Sequence, residues 1–180
     1  MKDVIDVSKL DRDFKYRVIE EPGGEGLLSC FACGTCAASC PVREVDERFN
    51  PRRLIRMAIL GMKDRVLQDE FIYLCSGCYL CQERCPQDVG ITELMTALRN
   101  IAVREGYLHP SFKAQLEFVY KLGRLYELTD FDNKKRQKNG LPDLNPVIDE
   151  VKILLKEAGL SKFVEVRELS THSFLDAQFL

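Results

Sequence analysis

The chain has 180 residues, 46% of them hydrophobic, with 26 basic and 28 acidic side chains for a net charge of −2. That balance gives no argument for nucleic-acid binding, and no uninterrupted apolar segment is long enough to span a bilayer. The polar start, Met1-Lys2-Asp3-Val4, lacks the apolar region of a signal peptide, so a reducing, cytoplasmic compartment is expected.

Residues 1–29 form an N-terminal arm. Within it Phe14-Lys15-Tyr16-Arg17-Val18-Ile19 is β-prone with partial alternation, which predicts a strand, an arm lying on a partner, or a locally packed segment. Glu21-Pro22-Gly23-Gly24 reads as a turn. A cysteine-rich run follows at 30–41. After it, Asn50-Pro51 reads as an N-cap with proline at the first helical position. The helix is expected from Pro51 to about Leu67, with an apolar stripe of Leu54, Ile55, Ala58, Ile59, Met62 and Val66 and with Gly61 inside it. Arg52, Arg53 and Arg56 on its first turns read as a solvated basic face, or as positive charge for docking or for raising the potential of a nearby redox centre.

A short helix over Asp69–Leu74 leads into a second cysteine-rich run at 75–86. Thr92–Arg104 is predicted helical, burying Leu94, Met95, Leu98, Ile101 and Ala102 and stopping at Gly106. His109-Pro110-Ser111 opens a further helix to about Tyr126, with Phe112, Leu116, Val119, Tyr120 and Leu125 turned inward. His109 reads as a structural histidine ahead of a redox-linked proton site. Thr129–Pro146 is expected to be a loop or hinge, and its run Lys134-Lys135-Arg136-Gln137-Lys138 a solvated face or a docking site for an acidic partner. Pro146 starts a helix that ends near Ala158 with Gly159 as its cap and Val147, Val151, Leu154 and Leu155 as its apolar face. The tail Phe163–Arg167 alternates like a strand. Phe174, Leu175, Phe179 and Leu180 leave an apolar end that should fold back or bury against another chain.

The two cysteine runs are copies of one pattern. Cys30, Cys33, Cys36 and Cys40, and again Cys75, Cys78, Cys81 and Cys85, read C-x2-C-x2-C-x3-C-P and use all eight cysteines. This spacing holds [4Fe–4S] clusters. Each of four iron corners needs a thiolate. Three cysteines three apart on a wrapping loop reach three corners, and in two-cluster ferredoxins the fourth comes from the last cysteine of the other run. The expected assignment is therefore crossed. Cys30, Cys33, Cys36 and Cys85 hold cluster 1, and Cys75, Cys78, Cys81 and Cys40 hold cluster 2. Pro41 and Pro86 redirect the chain after each run. Gly34 and Gly77 let backbone approach inorganic sulfur, and Tyr79 is expected to shield its cluster from water. Four-cysteine zinc sites are an alternative, disfavoured because zinc ligands come as separated pairs. Disulfides are disfavoured by the clustering.

Cys30 and Cys75, like Cys40 and Cys85, stand 45 positions apart, with helix between them rather than a short β-rich spacer. The expected fold class is mostly α, an α-helical ferredoxin with two [4Fe–4S] clusters and short extensions at both ends. The expected divisions are an arm at 1–29, a dicluster domain at 30–128 and a helical extension and tail at 129–180.

The paired runs, the helical spacer and above all Cys-Phe-Ala-Cys-Gly-Thr-Cys-Ala-Ala-Ser-Cys-Pro at 30–41 resemble the small iron–sulfur (HdrC-like) component of heterodisulfide reductase, over roughly residues 10–130. The same helical module occurs in succinate dehydrogenase and fumarate reductase iron–sulfur subunits and in anaerobic glycerol-3-phosphate dehydrogenase. In the dehydrogenase version a missing cysteine leaves a 3Fe cluster, whereas here no ligand position is missing. The resemblance implies a non-catalytic relay subunit of an oxidoreductase. It would pass electrons from a flavin-containing, HdrA-like subunit to a CCG-domain, HdrB-like subunit that reduces the CoM–CoB heterodisulfide in methanogenesis. The chain has no Cys-Cys-Gly triplet, no GxGxxG fingerprint and no P-loop, so no motif places substrate or flavin on it. A related complex of sulfur metabolism, a stand-alone dicluster ferredoxin, and a protein whose clusters only order the fold are the other readings.

Overall fold

The computed structural model describes residues 5–165, and among them every regular element is a helix and no strand forms. The chain separates into two compact units, one ending at Leu108 and one beginning at His109. The first unit contains α1 (Phe14–Ile19), α2 (Thr35–Ala38), α3 (Pro41–Val45), α4 (Pro51–Ile59), α5 (Lys63–Leu67), α6 (Phe71–Leu74), α7 (Leu80–Glu83) and α8 (Ile91–Arg104).

The stretch expected as a strand or extended arm is α1, and the burial pattern explains why. A strand would place Phe14, Tyr16 and Val18 on one face. Instead Phe14 and Val18, four residues apart, are wholly buried while Tyr16 is 48% exposed, which is the periodicity of a helix. This helix packs against α4, α8 and the short 3-10 turn Glu25–Ser29. Its link to the rest of the unit is also polar: Arg17 donates to Glu105 at 3.0 Å, Lys63 donates to the same carboxylate at 2.7 Å, and Arg104 pairs with Glu21. Such partly exposed pairs contribute only about 0–1 kcal/mol each, so the buried face of α1 holds the arm in place.

The helix expected from Pro51 to Leu67 is two helices. Its start is as read: Asn50 Oδ1 accepts from Arg53 N at 3.1 Å and Pro51 opens the first turn. Gly61 ends the first helix rather than lying inside one. It has φ of 78°, and a Cβ there would sit 2.2 Å from the carbonyl oxygen of Asp11. The Asp11 amide donates to the Gly61 carbonyl at 2.9 Å, so the arm and the α4 terminus are in backbone contact. The chain restarts at α5, burying Val66 and Leu67.

The centre of the unit is α8, with Ile91, Thr92, Leu94, Met95, Ala97, Leu98, Ile101 and Ala102 buried. It begins one residue before the predicted start and runs to Arg104, and Gly106 (φ 90°) turns the chain away as expected. α1, α5, α6, α7 and the Glu25–Ser29 turn all contact it. Phe49 packs edge-on to Phe71, with ring centroids 6.0 Å apart, closing the core beside α6.

The second unit contains α9 (Pro110–Leu122), α10 (Asp130–Lys138), α11 (Asp149–Glu157) and α12 (Lys162–Glu165), with α11 and α12 against α9. Here the structure departs from the sequence expectation at four places. α9 stops at Leu122 because Gly123 adopts φ of 73°, not at Tyr126. The stretch 129–146 is not all loop. Thr129 and Asp132 form a reciprocal capping box, and α10 follows. α11 starts at Asp149 rather than Pro146. Phe163, Val164 and Glu165 form a helical turn, not a strand. Among the described residues of this unit none is buried. Leu116, Val119 and Tyr120 are half-buried as expected of inward positions, while Phe112 and Leu125 are exposed. Phe174, Leu175, Phe179 and Leu180 lie outside the described residues. No described helix is long and apolar enough to cross a membrane.

Candidate functional site

The two cysteine runs fold into backbones that match in register, 45 residues apart. Ala32 and Gly77 occupy the same place in their loops and share a left-handed conformation, φ 62° and 65°. Gly34 and Tyr79 are the next matched pair, φ 92° and 61°, and each is the residue before a four-residue helix, α2 or α7. Two left-handed residues per loop curl the chain so that cysteines three apart face one interior. Ordinary L-residues resist this conformation at a cost of about 1–2 kcal/mol each. Gly34 and Gly77 therefore do not play the same part. Each loop places glycine at one of its two left-handed positions and a residue with a Cβ, Ala32 or Tyr79, at the other.

α2 packs on α7, which brings the loops together. Around this contact lie two cavities. One is lined by Cys30, Cys33 and Cys36 and also by Cys85. The other is lined by Cys75, Cys78 and Cys81 and also by Cys40. Each cavity thus draws three thiols from one run and one from the other. Ile91, 2% exposed at the start of α8, is a wall of both. Cys36, Cys40 and Cys81 are buried; Cys33 and Cys78 are exposed at the rims.

The donor set fits a multi-iron cluster. All eight candidate ligands are thiols, and neither cavity is lined by histidine, aspartate or glutamate. Among the described residues no three His, Cys, Asp or Glu side chains converge tightly enough to grip a single ion. The thiols stand around a space instead, the arrangement a four-iron cube requires and a tetrahedral zinc ion does not.

The electrostatics of the thiols show what the cube must overcome. Burial pushes the Cys36 thiol up to about 11, and the neighbouring sulfurs of Cys30, Cys81 and Cys33 push the same way. Burial likewise pushes Cys81 up, aided by Cys75, Cys40 and Cys78 and opposed by the Thr92 hydroxyl. Cys33, at the open rim, is pulled below the ordinary thiol range by the hydroxyl and backbone amide of Thr35. Protein alone therefore disfavours the thiolate at Cys36 and at Cys81, and a cluster bound through them would have to displace those protons.

Three residues beside the thiols carry no cysteine-motif signature. Thr35 Oγ1 lies 3.4 Å from Cys33 Sγ, and Thr92 Oγ1 lies 4.0 Å from Cys81 Sγ. Hydrogen bonds to ligand sulfur tune a cluster's potential. Thr92 is 5% exposed within an otherwise apolar helix face, and a polar residue in an apolar stripe is the signal that marks it in sequence. Arg52 lines the first cavity, while no charged side chain lines the second. Tyr79 lines the second cavity but is 47% exposed, so it covers that site only in part. His109 serves as a helix cap: its Nδ1 accepts from the Ser111 amide at 3.3 Å at the start of α9.

Comparison with known proteins agrees with this chemistry. The family described as a 4Fe-4S dicluster domain matches residues 26–89, a span that holds all eight cysteines. The chain therefore carries two [4Fe–4S] clusters. The C subunit of the H(2):CoB-CoM heterodisulfide,ferredoxin reductase of Methanothermobacter thermautotrophicus is 33% identical over 170 residues, covering 91% of this chain and 91% of that one. The second iron-sulfur C subunit of the CoB--CoM heterodisulfide reductase of Methanocaldococcus jannaschii is 32% identical, over 89% of this chain and 93% of its own. The C subunit of the Ferredoxin:CoB-CoM heterodisulfide reductase of Methanosarcina mazei is 39% identical, over 74% of this chain and 86% of its own.

Proposed function

The chain belongs to the family of heterodisulfide reductase iron–sulfur C subunits, and we propose that it is the electron relay of such a complex in the cytoplasm. Electrons enter from a flavin-containing, HdrA-like partner and leave to a CCG-domain, HdrB-like partner, where the CoM–CoB heterodisulfide is reduced. Relatives aligned over most of their length carry that complex in their names. The observation that carries the relay reading is the pair of cradles sharing one wall, Ile91, with α2 packed on α7 between them.

The ligand assignment we propose follows the cavity walls: Cys30, Cys33, Cys36 and Cys85 for cluster 1, and Cys75, Cys78, Cys81 and Cys40 for cluster 2. A bound [4Fe–4S] cluster takes up and returns one electron. The chain's own residues do the remaining work. Eight thiols fix the positions of the two centres. Ile91, buried and apolar, forms a wall of both cradles. The hydroxyls of Thr35 and Thr92 lie beside one ligand sulfur in each cradle, where a donated hydrogen bond stabilises the reduced, more negative state. A catalytic residue is not assigned to this chain.

Anaerobic co-expression with the flavin-containing and CCG-domain partners tests the reading. A complex retaining all three chains, in which the flavin-containing partner reduces both clusters of this chain, is expected. A chain that purifies alone and passes electrons equally well to unrelated enzymes is a free ferredoxin instead.

A further inference from the structure

The two cradles match in backbone and differ in charge. α4 carries Arg52, Arg53 and Arg56, all exposed, and none of them takes part in the ion pairs formed among the described residues. By contrast Arg17, Arg48 and Arg104 are each paired with a carboxylate. The three α4 arginines line one open groove with Ala32, Met57 and Leu60. Burial raises the Asp69 carboxyl above its ordinary range while the nearby charge of Arg53 opposes the shift, and no ion pair among the described residues joins the two. The patch is local, because the chain as a whole carries a net charge of −2.

The position of the groove gives it meaning. Ala32 lies between Cys30 and Cys33, and Arg52 lines both the groove and the first cradle. Cys33 is exposed at the same rim, and Phe31 beside it is 61% exposed. A protein seated in the groove therefore sits against the solvent edge of the first cradle. The walls of the second cradle contain no charged side chain. Guanidinium groups pair with carboxylates in a two-point geometry, and a like-charged cluster on one face raises the encounter rate with an oppositely charged partner.

We propose that the Arg52, Arg53 and Arg56 face is the docking site of an acidic redox protein that exchanges one electron with the first cluster. Aspartate and glutamate side chains of the partner pair with the three arginines. One electron moves between the partner's centre and the first cluster; one is oxidised, the other reduced, and no bond or proton changes hands. The inference rests on the relay reading and adds which face, and which partner chemistry, serves one of the two clusters.

The test uses the full chain with both clusters, under anaerobic conditions, and two electron donors. Reduced plant-type ferredoxin is the acidic protein probe, and methyl viologen radical is the small cationic probe. With ferredoxin, the rate of cluster reduction should fall about tenfold or more from about 50 to about 200 mM sodium chloride. The R53Q/R56Q variant spares Arg52 in the cradle. It should lose about tenfold of the low-salt ferredoxin rate, flatten the salt dependence and keep the viologen rate. An unchanged ferredoxin rate in this variant, or a salt-independent wild-type rate, with normal viologen reduction, overturns the docking face and leaves the relay intact. Saturable competition by phosphate that sodium chloride at equal ionic strength does not reproduce would assign the groove to a small anion and overturns it as well. If the variant fails to hold iron, the wild-type salt series still decides. Clusters that viologen cannot reduce would sink the relay reading itself.

Discussion

The loop at Cys30–Cys40 and the loop at Cys75–Cys85 have one backbone and two surroundings. Their left-handed residues fall at matched positions, but glycine stands at the second position of the first loop and at the first position of the second. Their walls differ as well: Arg52 faces the first cradle and no charge faces the second, while the Thr35 hydroxyl lies beside an exposed thiol in one and the Thr92 hydroxyl beside a buried thiol in the other. The same loop conformation is thus reached with glycine or with a residue carrying a Cβ at either position. What distinguishes the two centres comes from Thr35 inside the first run and from Arg52 on α4 and Thr92 on α8 outside both.

Ligand substitutions would break the pairing of the loops most severely. Cys36→Ser should remove the signal of cluster 1, and Cys40→Ser, in the same run, that of cluster 2, each leaving about four of about eight irons per chain by anaerobic metal analysis. Electron paramagnetic resonance of the reduced variants checks the pattern. If both substitutions silence the same cluster, the crossed ligand sets are wrong.

The shared backbone answers to a milder change. A Cβ added at Gly77 meets no protein atom within 4 Å, so against the protein Gly77→Ala costs conformational strain alone; it should lower stability by about 1–2 kcal/mol. At the matching position Ala32→Gly should be close to neutral, since strain relief offsets added chain entropy. Thermal unfolding of the holo chain under anaerobic conditions compares the two. Equal losses would mean that the loops do not share a conformation in solution.

A subtler substitution separates the surroundings. Thr92→Val keeps the side-chain shape and removes the hydroxyl near Cys81 Sγ. The potential of cluster 2 should fall by roughly a few tens of millivolts, the equivalent of about 1 kcal/mol for one electron, with cluster 1 unmoved. Redox titration followed by electron paramagnetic resonance reads both centres at once.

The weakest signal belongs to the metal-free chain. In the folded state the Cys36 thiol is raised from 9.0 to about 11, so between these values the folded chain holds more protons than the unfolded one. Its contribution is fully present below pH 9.0 and is lost as pH rises through about 11. Metal-free protein should therefore weaken over this range, and Cys36→Ala should lessen the dependence. Urea titrations at stepped pH provide the check.

Ligand type, cluster type and a helical spacer were legible in the sequence because eight cysteines at fixed spacing admit few chemistries, and because α8 and the start of α4 repeat apolar residues at helical intervals. The capping box of α10 was also written there, in Thr129 and Asp132, but the polar residues around it read as loop. Packing between distant segments settled the rest. Phe14–Ile19 has the residues of a strand and becomes α1 because Phe14 and Val18 must both reach one core. Gly61 breaks a continuous apolar stripe because the backbone of Asp11, fifty residues earlier, occupies the space a Cβ would need. Arg52 lines one cradle only because α4 packs against α2 and so brings it beside the first loop. Local spacing picks out the eight thiols and the kind of cofactor; contacts between remote segments choose what field and what walls surround them.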